Sequence, residues 1–128
     1  MSTDHGLNWN IMPGTSGFWN ISKLTCDANG NLYAGCNSIS NAAGLQRFTK
    51  STGTWDNITP SGLDARVPDL ELSSTGRLHV ICGYYNSAAT SSGYRYTDNP
   101  ATVTASTWTS PASTFPTQYN VAIESNGN

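Results

Sequence analysis

Two adjacent tyrosines and the asparagine that follows them, Tyr84, Tyr85 and Asn86, form the group of side chains best suited to ligand binding in this sequence. Aromatic rings stack on the apolar faces of sugars, and a neighbouring amide bonds to sugar hydroxyls. The group therefore predicts a weak glycan-binding site. Simple packing of the loop that carries these residues is the alternative, and the sequence does not decide between the two.

Side chains suited to catalysis are few and scattered. The two glutamates, Glu71 and Glu124, stand at different places relative to their nearest turns, so a carboxylate pair for glycoside hydrolysis is not indicated. The two histidines, His5 and His79, have no nearby partners that would suggest a metal site or a catalytic triad. We expect a chain with no catalytic residues, no metal site and no cofactor.

The cysteines predict free thiols. Cys26, Cys36 and Cys82 cannot all pair, and no second Cys/His pair accompanies the first two as a zinc site would require. A two-residue hairpin turn at Asn29-Gly30 would place Cys26 opposite Tyr33, which gives Cys26 no disulfide partner.

The chain repeats itself. Three segments align without gaps around a turn glycine: Leu24 to Tyr33, Leu70 to His79, and Val121 to Asn128. The glycines, at positions 30, 76 and 127, are 46 and 51 residues apart, and tryptophans at 9, 55 and 108 are 46 and 53 apart. Both intervals lie near the roughly 40 to 50 residues of a β-propeller blade.

The repeats predict an all-β fold of β-propeller blades, each a four-stranded antiparallel sheet with strands A to D. The chain spans about two complete blades plus a flanking D strand and a flanking A strand. Within a single partial domain, 1–128, we assign 1–16 to the end of a blade, 17–62 and 63–112 to whole blades, and 113–128 to the first strand of another. Arg47 and Arg95 are expected at equivalent third-strand positions, and the alternation around Tyr96 predicts a core residue.

The segment from Ser2 to Trp9 matches the pattern Ser-x-Asp-x-Gly-x-x-Trp. It resembles the Asp-box, also called the bacterial neuraminidase repeat, of sialidases, xyloglucanases and other secreted propellers. The resemblance implies a structural turn in which Ser2 and Asp4 bond to backbone donors, Gly6 takes a positive φ and Trp9 packs beneath. Binding by this turn is the minor alternative.

The segment that begins Arg66-Val67-Pro68 resembles the Arg-Ile-Pro segment of sialidases, in which the arginine binds the carboxylate of the substrate. The resemblance makes Arg66 a tentative ligand residue beside Tyr84, Tyr85 and Asn86. The alternative is an arginine at the edge of a strand.

Composition limits the partners. Only 11% of the residues are charged and the formal net charge is -2, so nucleic acid is not an expected partner. Apolar runs are far shorter than the roughly 20 residues of a membrane span, and we expect none. The abundance of Ser, Thr, Asn and Gly favours an extracellular or cell-surface protein. The first residues show no basic segment followed by an apolar run, so we do not expect them to form a signal peptide.

These observations predict a non-catalytic propeller segment for extracellular recognition or scaffolding. Expected partners are glycans and proteins, among them a further copy of the chain or the remainder of a longer propeller. The alternative is a fragment of a sialidase-like or other glycoside hydrolase propeller whose catalytic residues lie elsewhere.

Overall fold

The computed structural model describes residues 2, 5–12, 14, 20–36, 44–64, 66–67, 69–83 and 93–111. These residues form antiparallel strands and no helix, which confirms the all-β prediction. The first sheet has the order β1-β2-β3-β4, with β1 at Ile21–Cys26, β2 at Leu32–Cys36, β3 at Leu45–Thr49 and β4 at Thr54–Asn57. The second has the order β5-β6-β7, with β5 at Asp69–Leu72, β6 at Leu78–Cys82 and β7 at Gly93–Thr97.

The second sheet has three strands rather than the four predicted. A single bridge between Tyr96 and Thr109 occupies the fourth position. Thr107 is still part of a turn, in which its backbone nitrogen donates to the carbonyl of Thr104, and Pro111 lacks a backbone donor. Too few residues remain between the turn and the proline to extend the ladder.

The β1–β2 hairpin does not have the predicted two-residue turn. The carboxylate of Asp27 accepts from the backbone nitrogens of Asn29 and Asn31 at 3.0 and 2.9 Å, and Gly30 has a φ of 81°. These contacts close a three-residue loop with a left-handed glycine, a common alternative hairpin geometry.

The longer loop shifts the predicted register by one residue. Cys26 pairs with Leu32, and Tyr33 pairs with Thr25 rather than with Cys26. All three cysteines are nevertheless free, as predicted, although Cys26 is exposed whereas Cys36 and Cys82 are buried.

The two sheets share the same strand-pairing register. Leu24 pairs with Ala34 as Leu70 pairs with Val80, and the turn glycines coincide. At the place of the fourth strand, Asp56 pairs with Arg47 in the first sheet and Thr109 pairs with Tyr96 in the second. The tryptophans that precede Asp56 and Thr109, at positions 55 and 108, are therefore equivalent, as their spacing predicts.

The expected equivalence of the two third-strand arginines is wrong. Arg47 pairs with Tyr33, whereas Arg95 pairs with Val80 and corresponds to Gln46. Gly44, which precedes β3, corresponds to Gly93, which begins β7, and in this alignment Arg47 corresponds to Tyr96. Arg95 is one residue earlier, so the two arginine side chains lie on opposite faces of their sheets.

A common core joins the sheets. Buried side chains from both contribute to it, among them Tyr33, Leu45, Ile58, Leu70, Leu78 and Val80. The packing is tight at Gly35, where a Cβ atom would lie 2.9 Å from side-chain atoms of both Leu70 and Val67. Glycine is therefore required at this point of β2.

Candidate functional site

Of the predicted ligand-binding residues, the structure describes Arg66, which lies at one end of the second sheet, beside the carboxyl end of β6. Tyr84, Tyr85 and Asn86 lie outside the described residues. Arg66 is described, and its backbone carbonyl accepts a hydrogen bond of 2.8 Å from the nitrogen of Gly83. Arg66 thus lies beside the residue that immediately precedes Tyr84.

The guanidinium of Arg66 is held by a partner that the sequence analysis missed. Its Nε donates to Oδ1 of Asp64 at 2.8 Å, and its Nη2 donates to Oδ2 of the same carboxylate. The backbone nitrogen of Arg66 also donates to Oδ1, at 2.9 Å. The side chains are 17% and 16% exposed, so this is a bidentate, partly buried ion pair of fixed geometry. An aspartate two residues before the arginine, after a turn glycine, is the signal that could have revealed it.

A second guanidinium lies in the same region. Half-buried Arg95 donates from Nη1 to the carbonyl of Tyr94 at 2.8 Å. A Cβ atom on Gly93 would lie 3.4 Å from that nitrogen and 3.8 Å from Leu63, so glycine leaves space for the guanidinium. We call Asp64, Arg66, Arg95 and the adjoining Gly83 the Arg66 end.

Cys82, the last residue of β6, belongs to the same region but is not a nucleophile. Burial raises the pKa of its thiol to about 12, the charge of Arg95 opposes that rise, and Asp64 reinforces it. A thiol with so high a pKa stays protonated at neutral pH. The Arg66 end can therefore offer guanidinium donors to the carboxylate or hydroxyl groups of a ligand but no activated sulfur.

The N-terminal turn is described in part, because Asp4 lies outside the described residues. The nitrogen of Gly6 donates to Oγ of Ser2 at 2.8 Å, Nε1 of Trp9 donates to the carbonyl of Gly6 at 3.1 Å, and Gly6 has a φ of 89°. The indole also lies against Gly6, where a Cβ atom would be 3.8 Å from Cζ2. Trp9 is nevertheless 75% exposed, so the ring contacts its own turn without entering a core.

His79 belongs to an aromatic cluster that the sequence analysis also missed. Its Nδ1 lies 2.6 Å from the hydroxyl of Tyr94, and the ring of Tyr96 lies on the same face of the sheet. The guanidinium of Arg77 stands over Tyr96, 4.5 Å from the ring centroid. Tyr96 is half-buried rather than fully in the core.

The electrostatics of this cluster keep the imidazole neutral. Burial lowers the pKa of His79, and the charge of Arg77 lowers it further, against weaker opposition from Asp98 and Glu71. Burial also raises the pKa of Tyr94. The His79–Tyr94 contact is therefore a hydrogen bond between neutral groups at pH 7.

Comparison with protein-family models, curated proteins and solved structures finds no match to this chain. In the described part of the chain, no helix is long and apolar enough to cross a membrane.

Proposed function

We propose that this chain is a non-catalytic segment of a β-propeller of the Asp-box type that serves recognition or scaffolding outside the cell, with glycans as the favoured ligands. The sequence period, the matched register of the two sheets and the turn at Ser2, Gly6 and Trp9 support the architecture. The guanidiniums of the Arg66 end, beside Gly83, support ligand binding there.

One observation carries the proposal. Leu24 and Leu70 occupy the same position in their sheets, yet Leu70 is fully buried whereas Leu24 is 56% exposed. Leu70 is buried because its face packs on the Tyr33 face of the first sheet. On the first sheet, Ala34 and Gln46 share the face of Leu24 and are buried, so Leu24 is the exposed apolar side chain that a further sheet would cover, as a neighbouring blade does in a propeller.

The carboxylates support a non-catalytic role. Each aspartate or glutamate among the described residues is engaged by a cation or by several donors: Asp56 with Arg47, Asp64 with Arg66, Asp98 with Arg77, Asp69 and Glu71 with Lys23, and Asp27 with its own loop. A carboxyl group that is already held by a cation or by several donors is not free to reach a glycosidic bond as a catalytic acid, nucleophile or base.

The exposed Leu24 side chain provides the test. We expect the purified chain to self-associate in sedimentation experiments, since a partner sheet would bury that side chain. Leu24→Asp should shift the chain towards the monomer, because a carboxylate cannot be buried in an apolar interface. Leu7→Asp is the matched control, since Leu7 is 83% exposed in the N-terminal turn and should not affect association. A monomeric wild-type chain at high concentration, or equal effects of the two variants, would contradict the proposal.

A further inference from the structure

The loops at the other end of both sheets border a groove, which we call the turn groove. It consists of two adjoining hollows of about 460 and 660 Å³, which share Asn29 and Ala101 as lining residues. Both hollows are open to solvent: the β1–β2 and β5–β6 turns and the segment after β7 line the first, and the β3–β4 turn lines the second. Both volumes fall in the range of roughly 300 to 1,000 Å³ that is typical of small-ligand pockets.

Hydrogen bonds join the walls of the turn groove to one another. Asn31 donates from Nδ2 to Asp27 at 2.8 Å and accepts from the backbone nitrogen of Lys50 at 3.0 Å, which joins two of the turns. Arg47 donates to the carbonyl of Pro100 at 3.1 Å and so fixes the segment after β7 against the first sheet. A site with such walls is already shaped before a ligand arrives, which lowers the entropic cost of binding.

Two side-chain amides on the groove are available to a ligand. Asn29 and Asn99 are exposed, and neither amide makes a hydrogen bond within the described residues. Each offers two donors and a carbonyl acceptor. Leu72, which is half-buried, adds apolar surface to the lining.

The charges on the groove nearly cancel. Lys50 lines one hollow, while the carboxylates of Asp27 and Asp98 line the other. Both carboxylates are engaged, Asp27 by its own loop and Asp98 by Arg77 at 2.6 Å, so they do not form a cation site. Uncharged hydroxyl groups, which both donate and accept, match the free amides best.

We propose that the turn groove binds a neutral saccharide through Asn29 and Asn99. This site lies at the opposite end of the sheets from the Arg66 end and does not depend on assembly into a propeller.

The test is a titration of the ¹⁵N-labelled chain with neutral oligosaccharides of glucose, xylose and mannose, followed by NMR. We expect millimolar binding, with shifts in the side-chain amides of Asn29 and Asn99 and in the backbone amides of residues 73–76. The double variant Asn29→Ala/Asn99→Ala should bind at least about tenfold more weakly, the loss that corresponds to roughly 1.4 kcal/mol. Both side chains are exposed, so the fold should persist, and thermal unfolding checks it.

Asn10→Ala, which removes an exposed asparagine that does not line the groove, is the matched control and should bind as the wild type does. Parallel titrations with two anionic ligands, inorganic phosphate and sialyllactose, should shift the NMR signals of the groove amides less than the neutral sugars do. The proposal would be overturned if the double variant bound with unchanged affinity or if the NMR shifts were confined to the surroundings of Arg66 and Gly83. It would also be overturned if none of the neutral sugars caused a shift.

Discussion

The imidazole of His79 is 5% exposed, and its buried Nε2 has no hydrogen-bond partner among the described residues. In the sequence it is a lone histidine between the apolar residues Leu78 and Val80, and in the structure it is buried on β6. Its hydroxyl partner, Tyr94, comes from β7 through the pairing of β6 with β7. That contact cannot be predicted until the register is known, because a shift of one residue would turn Tyr94 to the other face.

Burial of a neutral histidine makes stability depend on pH. The pKa of His79 is lower in the folded chain than its ordinary value of 6.5, because burial and Arg77 oppose protonation. As the pH falls below 6.5, the unfolded chain therefore takes up a proton before the folded chain does, and the free energy of unfolding decreases. The decrease should be no steeper than about 1.4 kcal/mol per pH unit and should end once the pH is below the folded pKa.

Urea unfolding between pH 7 and pH 5 checks this expectation. His79→Gln removes the titrating group and should flatten the pH dependence, whereas His5→Asn should leave it unchanged. Asparagine suits that control because His5 has a φ of 57°, which asparagine tolerates. Equal slopes for the wild type and His79→Gln would show that the histidine does not control stability in this range. Asp27 and Asp98, whose pKa values are lowered, contribute only at more acid pH.

At the scale of the strand and turn, the sequence predicts which segments pair better than how they pair. Apolar alternation and the turn glycines locate both hairpins, at Gly30 and Gly76. The β1–β2 register fails because the carboxylate of Asp27 bonds to its own loop, a local contact that competes with the two-residue turn. Similarly, the sequence indicates Arg66 but not the carboxylate of Asp64 that fixes it.

The two equivalent turns should differ in strength. Asp27 accepts four hydrogen bonds, including those from Nδ2 of Asn31 and the hydroxyl of Tyr33. In the second sheet, the hydroxyl of Ser73 accepts one backbone bond of 3.1 Å, from Arg77, and shares one bond of 2.8 Å with the hydroxyl of Thr75. Burial disfavours the ionised form of Asp27, but these donors outweigh that effect and lower its pKa.

Asp27→Ala should therefore lower the free energy of unfolding by about 3 kcal/mol, and Ser73→Ala by about 1 kcal/mol. Denaturant unfolding of both variants measures the difference. Asp27→Asn, which keeps an oxygen acceptor for the two backbone nitrogens, should fall between them. Equal losses for Asp27→Ala and Ser73→Ala would mean that the loop carboxylate adds nothing to a simple turn.

At the scale of the whole molecule, the two sheets are joined by contacts between residues far apart in sequence. Arg47 donates from Nη1 to the carbonyls of Pro100 and Val103, both at 3.1 Å and more than 50 residues away. The repeat period predicts that the sheets are neighbours but not that an arginine joins them. The assumption that Arg47 and Arg95 are equivalent conceals this role, because the two side chains lie on opposite faces of their sheets.

Removing the guanidinium should loosen the second sheet from the first. Arg47→Met keeps most of the aliphatic stem but leaves the buried carbonyls of Pro100 and Val103 without their donor, and we expect a loss of about 3 kcal/mol. Asp56→Ala is the matched control. Asp56 bonds to the same guanidinium at 3.2 Å, but its side chain is 50% exposed, and losing such a pair should cost less than about 1 kcal/mol.

Hydrogen exchange gives the second measurement, because the backbone nitrogens of Thr102 and Val103 both donate to the carbonyl of Asn99. In Arg47→Met these amides should exchange faster while those of residues 29–31 keep their protection, since a lost tie between the sheets frees the segment after β7 without opening the first hairpin. Uniformly faster exchange across both sheets would contradict a local loosening of the segment after β7. Equal losses in the two variants would mean that the bonds to Pro100 and Val103 add no more stability than the exposed ion pair with Asp56.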